Sequence, residues 1–177
     1  AKIPVITVDR SSDSGDVATH IASNNIKGGE MAADFLVQKL GEGAEVAELE
    51  GIPGASATRE RGEGFHNIAD NKLKVLAKQS ADFDRSKGLT VAENMIQANT
   101  GIKAIFAHND EMALGAISAA KSANKNIMIV GFDGTEDGMK AVEDGDLVAT
   151  IAQQPDKMGE MGVDAAVKLA KGESVEK

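Results

Sequence analysis

Six short stretches carry side chains able to hold a small polar molecule: Asp9-Arg10, the run from Gly51 to Arg61, Phe83-Asp84, Asn109-Asp110, Phe132-Asp133 and Gln153. They supply carboxylates, amides, guanidinium groups and two aromatic rings. No cysteine occurs in the chain, which excludes thiolate catalysis, disulfides and Cys-based metal sites. Neither a Ser-His-Asp order nor a metal-ligand spacing accompanies these stretches, so no catalytic group, metal or cofactor is expected. An ionised Asp accepts from two hydroxyls while Arg and Asn donate back, and a hydroxyl does both. Hydrogen bonds to charged groups are the strong ones. A Phe face covers the C–H side of a ring without demanding a proton. The inventory suits a neutral polyol such as a sugar.

Each of these residues also has an ordinary structural reading. Asp133 precedes Gly134-Thr135, a sequence that makes a turn or a helix cap. Asn109 or Asp110 reads equally as the cap of the helix that follows, Phe83 as core, and Gln153 as a polar strand end. Arg61 lies four residues before Phe65 and seven before Ile68, on their inward stripe. A lone buried charge is costly, so Arg61 requires either a ligand or a buried carboxylate. Arg59, four residues before Glu63, reads as half of a surface pair. His20, His66 and His108 are widely scattered, and His108 reads as a strand-end residue rather than a base. Gly51-Ile52-Pro53-Gly54 is only superficially a phosphate loop: no Gly-Lys-Ser/Thr follows, and no Gly-x-Gly-x-x-Gly opens a helix.

Strand-like runs are predicted at Ile3–Val8, Glu45–Leu49, Leu73–Ala77, Ala104–Ala107, Ile127–Val130 and Leu147–Ala152. Between and after them, helical periodicity marks Asn25–Leu40, Ala57–Asp70, Ser86–Ala98, Asp110–Ala123, Thr135–Glu143 and Pro155–Lys171. This alternation predicts βαβ units and a doubly wound parallel sheet. The runs are apolar on consecutive positions, as in strands covered on both faces. Gly41 is placed to end the first helix, and Pro155 sits where a first turn tolerates a missing N–H. Ligands of such sheets bind beyond the carboxyl ends of the strands, where the six stretches fall.

The 177 residues suffice for one packed domain, with 42% apolar and 27% charged residues. No apolar run approaches the ~20 residues that cross a bilayer. The formal charge of −9, with both signs interspersed, disfavours nucleic acid and anionic lipid as partners. The chain enters a strand-like run almost at once and stops just past an amphipathic helix, and no targeting segment is visible. It reads as a piece of something longer.

Several runs carry a resemblance: Ile3–Arg10, His20–Ser23, Arg59–Phe65, Ala81–Arg85, Asn109–Ala116, Val130–Thr135 and Ala149–Gln153. In order and spacing they are similar to bacterial periplasmic D-ribose-binding proteins, and the likeness covers essentially the whole chain. The Asn-Asp-Glu-Met-Ala and Gly-Phe-Asp-Gly-Thr runs alone resemble a wider group of pentose and hexose binders and related repressors. Their combination with Asp9-Arg10 and Ala-Asp-Phe-Asp-Arg points to ribose. The resemblance implies an α/β lobe of the type I periplasmic-binding-protein kind, beside a strand and helix of an incomplete second lobe. On that pattern residues 1–23 and 154–177 belong to an amino-terminal lobe and 24–153 form the carboxyl-terminal lobe, with hinges near Ser23-Asn24 and Gln153-Gln154. The sugar ligands it implies are Asp9, Arg10, Arg61, Phe83, Asn109, Asp133 and Gln153.

The opening part of the family pattern, with a polar residue and aromatics from the opposite wall, is absent, as is the amino-terminal lobe's final strand. A dimer or a complementary amino-terminal fragment is therefore an expected partner. The implied function is a receptor for D-ribose or a related monosaccharide. Its partners would be the membrane subunits of an ABC importer and a chemoreceptor. The implied location is the periplasm, or the outer surface, membrane-anchored, in a Gram-positive cell. Two readings compete. The effector domain of a lac-repressor-type transcription factor would need a helix-turn-helix upstream, and a Rossmann-type enzyme lacks a nucleotide fingerprint.

Overall fold

In the five-stranded sheet, successive strand residues feed two separate cores, and this alternation organises the molecule. The computed structural model describes residues 3–176. Its elements are β1 (Ile6–Val8), β2 (Thr19–Ile21), α1 (Asn25–Leu40), β3 (Glu45–Glu50), α2 (Ser56–Lys72), β4 (Lys74–Ser80) and α3 (Arg85–Ala98), followed by β5 (Ala104–Ala107), α4 (Asp110–Ser122), β6 (Met128–Asp133), α5 (Glu136–Glu143), β7 (Ala149–Ala152) and α6 (Pro155–Ala170). The main sheet is parallel in the order β4-β3-β5-β6-β7. Val46, Ala104, Phe106, Val130 and Phe132 pack with Leu36 of α1 and Phe65 of α2. Their sequence neighbours Ala47, Leu49, Ile105, Ala107 and Ile129 join α3, α4 and α5 in the second core. The doubly wound expectation therefore holds.

A smaller layer stands apart. β1 and β2 form a two-stranded parallel sheet, on which α6 packs through Ile21, Met158 and Ala165. Ile3, Val8, Met161, Val163 and Val167 remain exposed around it. The two connections between the layers run side by side, where the Ser23 hydroxyl donates to Gln153 Oε1 at 2.8 Å.

Helix positions agree with the periodicity to within a residue or two. Strands differ more. β1 pairs only from Ile6, because its sole neighbour is three residues long. The sequence pattern does not mark β2: Thr19 and Ile21 are buried around an exposed His20, too brief an alternation to register. β4 is not covered on both faces. It is an edge strand that alternates half-buried and exposed positions along most of its length.

Helices α1 and α2 approach closely because glycines line their contact. A Cβ on Gly29 would overlap the Arg61 carbonyl oxygen, and one on Gly64 would overlap that of Ile26. Gly29→Ala is therefore expected to destabilise the chain by roughly 1–3 kcal/mol through overpacking. Gly159, on α6, has open space around its Cβ position. There Gly→Ala is expected to stabilise by about 0.5–1 kcal/mol through helix propensity. Urea denaturation of both variants checks the opposite signs.

Candidate functional site

At the carboxyl edge of the main sheet a cavity of about 160 Å³ is lined by Asp9, Arg10, Ala57, Arg61, Phe83, Asn109, Asp133 and Gln153. All seven side chains singled out from the sequence thus meet in one place. The backbone works to put them there. Asp9, Asp82, Phe83 and Asp133 all adopt positive φ, at 69°, 55°, 61° and 115°. Non-glycine residues rarely occupy this region, and such strain concentrates where side chains must be aimed. Asp9 is held by its N–H, which donates to the Ile21 carbonyl at 2.8 Å. The Phe83 ring lies against Gly51, where a Cβ would overlap it.

Arg61, 3% exposed, forms the buried ion pair of one of its readings and also lines the cavity. Its Nε donates to Asn25 Oδ1 at 2.9 Å, and its Nη1 donates to the His108 carbonyl and to Asp133 Oδ1, the latter at 3.2 Å. The guanidinium also stacks over Phe132, 3.8 Å from the ring centroid. Asp133 Oδ1 accepts a second bond from Gln153 Nε2 at 2.7 Å. Among the described residues no donor reaches Asp133 Oδ2. Burial pushes the Asp133 pKa above the usual carboxylate range, against the pull of Arg61 and Gln153. Burial pushes Arg61 down from its ordinary value, against Asp133 and Asp9. The pair leaves residual desolvation on both sides, which further donors and acceptors at the cavity would relieve.

Asn109 likewise does two things. Its Oδ1 caps α4 by accepting from Met112 N at 3.0 Å, while its Nδ2 donates to the Phe83 carbonyl at 3.3 Å. Arg10 places its guanidinium 5.6 Å from the Phe83 ring centroid, a cation–π contact. Asp110 is a fastener. Fully buried, it accepts from Thr135 N at 2.7 Å, from the Thr135 hydroxyl at 3.0 Å and from the Thr150 hydroxyl at 2.7 Å. Arg59 departs from expectation: its partners are Asp13, at 3.0 Å, and the Gly54 carbonyl, rather than Glu63. The loop beside its helix start offers nearer acceptors than the next helical turn.

Sequence reasoning missed a buried cluster behind the cavity. Glu48, in the middle of β3, is fully buried. Its Oε1 meets His108 Nε2 and its Oε2 meets His66 Nε2, each at 2.8 Å. The other nitrogen of His66 faces Asp70 Oδ1 at 2.6 Å. Carboxylates only accept, so both His66 nitrogens donate and the ring is an imidazolium. The Gly51 N–H donates to His108 Nδ1 at 3.5 Å, which leaves His108 Nε2 as the donor to Glu48. One signal was available: Glu48 shares the inward face of Val46 at a spacing of two, so a carboxylate fell on a buried stripe. Its partners lie too far along the chain to be matched to it by spacing.

Residues 1–174 match the model of a family described as a periplasmic binding protein domain. The Ribose import binding protein of Bacillus subtilis is 59% identical over 175 residues, covering 99% of this chain and 57% of the relative. That of Haemophilus influenzae is 60% identical over 175 residues, covering 98% of this chain and 60% of the relative. The chain thus spans under two thirds of the length of these curated relatives. Among solved structures, the periplasmic binding protein component of the arabinose ABC transporter from Shewanella sp. ANA-3, bound to L-arabinofuranose, superposes with a TM-score of 0.92. It is 36% identical, with 99% of this chain and 61% of that one covered.

The buried cluster makes stability depend on pH. Hydrogen bonds from the two imidazoles outweigh burial and hold the Glu48 pKa at about 2, below its ordinary 4.5. Bonds to Glu48 and then Asp70 raise His66 from 6.5 to about 9. Folded His66 binds its proton more tightly than unfolded, so its contribution is full below 6.5 and lost as pH rises through about 9. Folded Glu48 releases its proton more readily, so its contribution is full above 4.5 and lost as pH falls through about 2. The urea midpoint is expected to be highest between these limits and to fall by about pH 10. His66→Gln, which cannot titrate, should flatten the alkaline limb.

Proposed function

The chain belongs to the periplasmic binding protein domain family, and on that premise we propose that it forms the larger part of a receptor for D-ribose or a closely related monosaccharide. The observation that carries this reading is the convergence of Asp9, Arg10, Arg61, Phe83, Asn109, Asp133 and Gln153 on one cavity. Asp133 Oδ2 and the Asp9 carboxylate accept from sugar hydroxyls. Arg61, fixed by Asn25, the His108 carbonyl and Asp133, donates back from a preset position. The Phe83 ring covers the apolar side of the sugar. The receptor binds without turnover and passes its cargo to the membrane subunits of an ABC importer, in the periplasm or at the outer cell surface. Relatives bearing that name, and structures holding related sugars, support the assignment.

In this reading residues 24–153 form one lobe, and residues 1–23 and 154–177 contribute β1, β2 and α6 to a second. The crossovers at Ser23-Asn24 and Gln153-Gln154 act as hinges. Gln153 sits at that junction, bonded on one side to Ser23 and on the other to Asp133. A sugar that engages Asp133 therefore also touches the hinge, and differential contacts of this kind favour lobe closure.

Calorimetric titration with ribose, galactose and allose tests the assignment. In the longer protein, Asp133→Asn is expected to weaken ribose binding by roughly 2–5 kcal/mol, because buried donors lose a charged acceptor. A purely structural role for Asp133 would lower thermal stability and leave affinity near normal. The 177-residue chain alone is expected to bind about a thousandfold more weakly, the effect of losing ~4 kcal/mol of opposing-wall contacts. Adding the missing amino-terminal segment should restore affinity. Submicromolar binding by the isolated monomeric chain would overturn the two-walled mechanism.

A further inference from the structure

We propose that the Glu48–His66–His108 cluster positions two walls of the sugar cavity, so that ligand binding weakens in alkaline solution as His66 loses its proton. The proposal rests on the reading of the cavity given above. None of the three residues lines that cavity, so each acts through others.

The connections are direct. The His108 carbonyl accepts from Arg61 Nη1, and the His108 ring accepts from the N–H of Gly51, the residue on which the Phe83 ring rests. Asn109, another cavity residue, follows His108 in the chain. Fixing the His108 ring thus fixes the seats of Arg61, Phe83 and Asn109 together. What fixes the ring is Glu48, and Glu48 is also the anchor for His66, on the same helix as Arg61. One buried carboxylate therefore ties β3 to both β5 and α2. Gly62, next to Arg61, faces the same cluster: a Cβ there would be in van der Waals contact, 3.4 Å from both Glu48 Oε1 and His108 Cε1.

The titrating member is His66, which is partly exposed while Glu48 and His108 are buried. Two carboxylates face its ring, Glu48 from β3 and Asp70 from its own helix. Glu50, Arg59, Glu63 and Lys78 line the cleft onto which it also opens, and none of them contacts the ring within salt-bridge distance. A neutral imidazole donates from only one nitrogen, and because Glu48 is buried while Asp70 is exposed, the remaining N–H stays on Glu48, in a bond that passes from charge-assisted to neutral-donor. The weaker bond loosens the tie between α2 and β3 at His66 and lets Arg61 shift relative to the His108 carbonyl.

NMR titration of the chain across the alkaline range, with D-ribose as the probe, tests this. The His66 Hε1 and Arg61 Nε–H resonances are expected to move with one common midpoint. Ribose affinity, followed by shift perturbation at millimolar sugar, should fall about two- to tenfold through that midpoint, the worth of one hydrogen bond. His66→Gln keeps a donor toward Glu48 and has no proton to lose, so it should abolish the inflection in both signals. An Arg61 resonance that stays flat while His66 titrates, or an inflection surviving in His66→Gln, would overturn the proposal. Should ribose fail to bind the longer protein at every pH, the reading of the cavity falls, and the Arg61 resonance still decides the coupling.

Discussion

The buried guanidinium of Arg61 is the constraint around which the rest of the sheet edge is arranged. Removed from water on the inner side of α2, it requires acceptors within reach of a rigid planar fork. Asn25 from α1, a carbonyl from the end of β5 and a carboxylate from the end of β6 provide them. Phe132 supplies a face for it to stack on. Two helices on one side of the sheet and the ends of two central strands are thereby held to a single group. The glycine-lined approach of α1 and α2 serves the same end, since the Arg61 backbone lies directly against Gly29. What remains unsatisfied after this arrangement is concentrated at the cavity. Asp133 still has an oxygen without a donor among the described residues, and both partners of the pair retain a desolvation penalty.

The fold was legible because its signal is redundant. Each strand–helix repeat carries the same periodicity change, and a misjudged boundary leaves the topology intact. The meeting of Phe83, Asn109, Asp133 and Gln153 was legible for a related reason: in a parallel sheet the topology alone assembles the strand ends. Asp9 and Arg10, beside the smaller sheet, and Arg61, on a helix, completed the set through the resemblance. Individual roles were harder. Arg61 offered two readings that the structure shows to be compatible, and Asn109 both caps a helix and faces the cavity. Asp110, equally plausible beside it, is consumed by Thr135 and Thr150. Which of two adjacent polar residues points outward depends on the first turn of α4, and spacing does not resolve that.

The features that escaped are those made by long-range pairing of weak local signals. β2 is too brief to announce itself, and it exists because β1 lies beside it. Glu48, His66 and His108 are unremarkable singly and come together only when β3, α2 and β5 pack. Spacing pairs Arg59 with the next turn of its own helix, whereas Asp13, in the loop between β1 and β2, captures it.

The smaller layer has a consequence for the order in which the protein forms. Its strands come from the beginning of the chain and its helix from the end, so Ile21, Met158 and Ala165 meet only after the intervening chain is gathered in. The five-stranded sheet asks for less, because β3 and β4, β5 and β6, and β6 and β7 are each joined through a single helix, and only the β3–β5 pair is joined through α2, β4 and α3. Loop-closure entropy is therefore concentrated on a cluster of three buried side chains. Contacts repaid so modestly form late and open early. The amide protons shared by β1 and β2 accordingly lie at the low end of the range of opening free energies, where hydrogen exchange would report them.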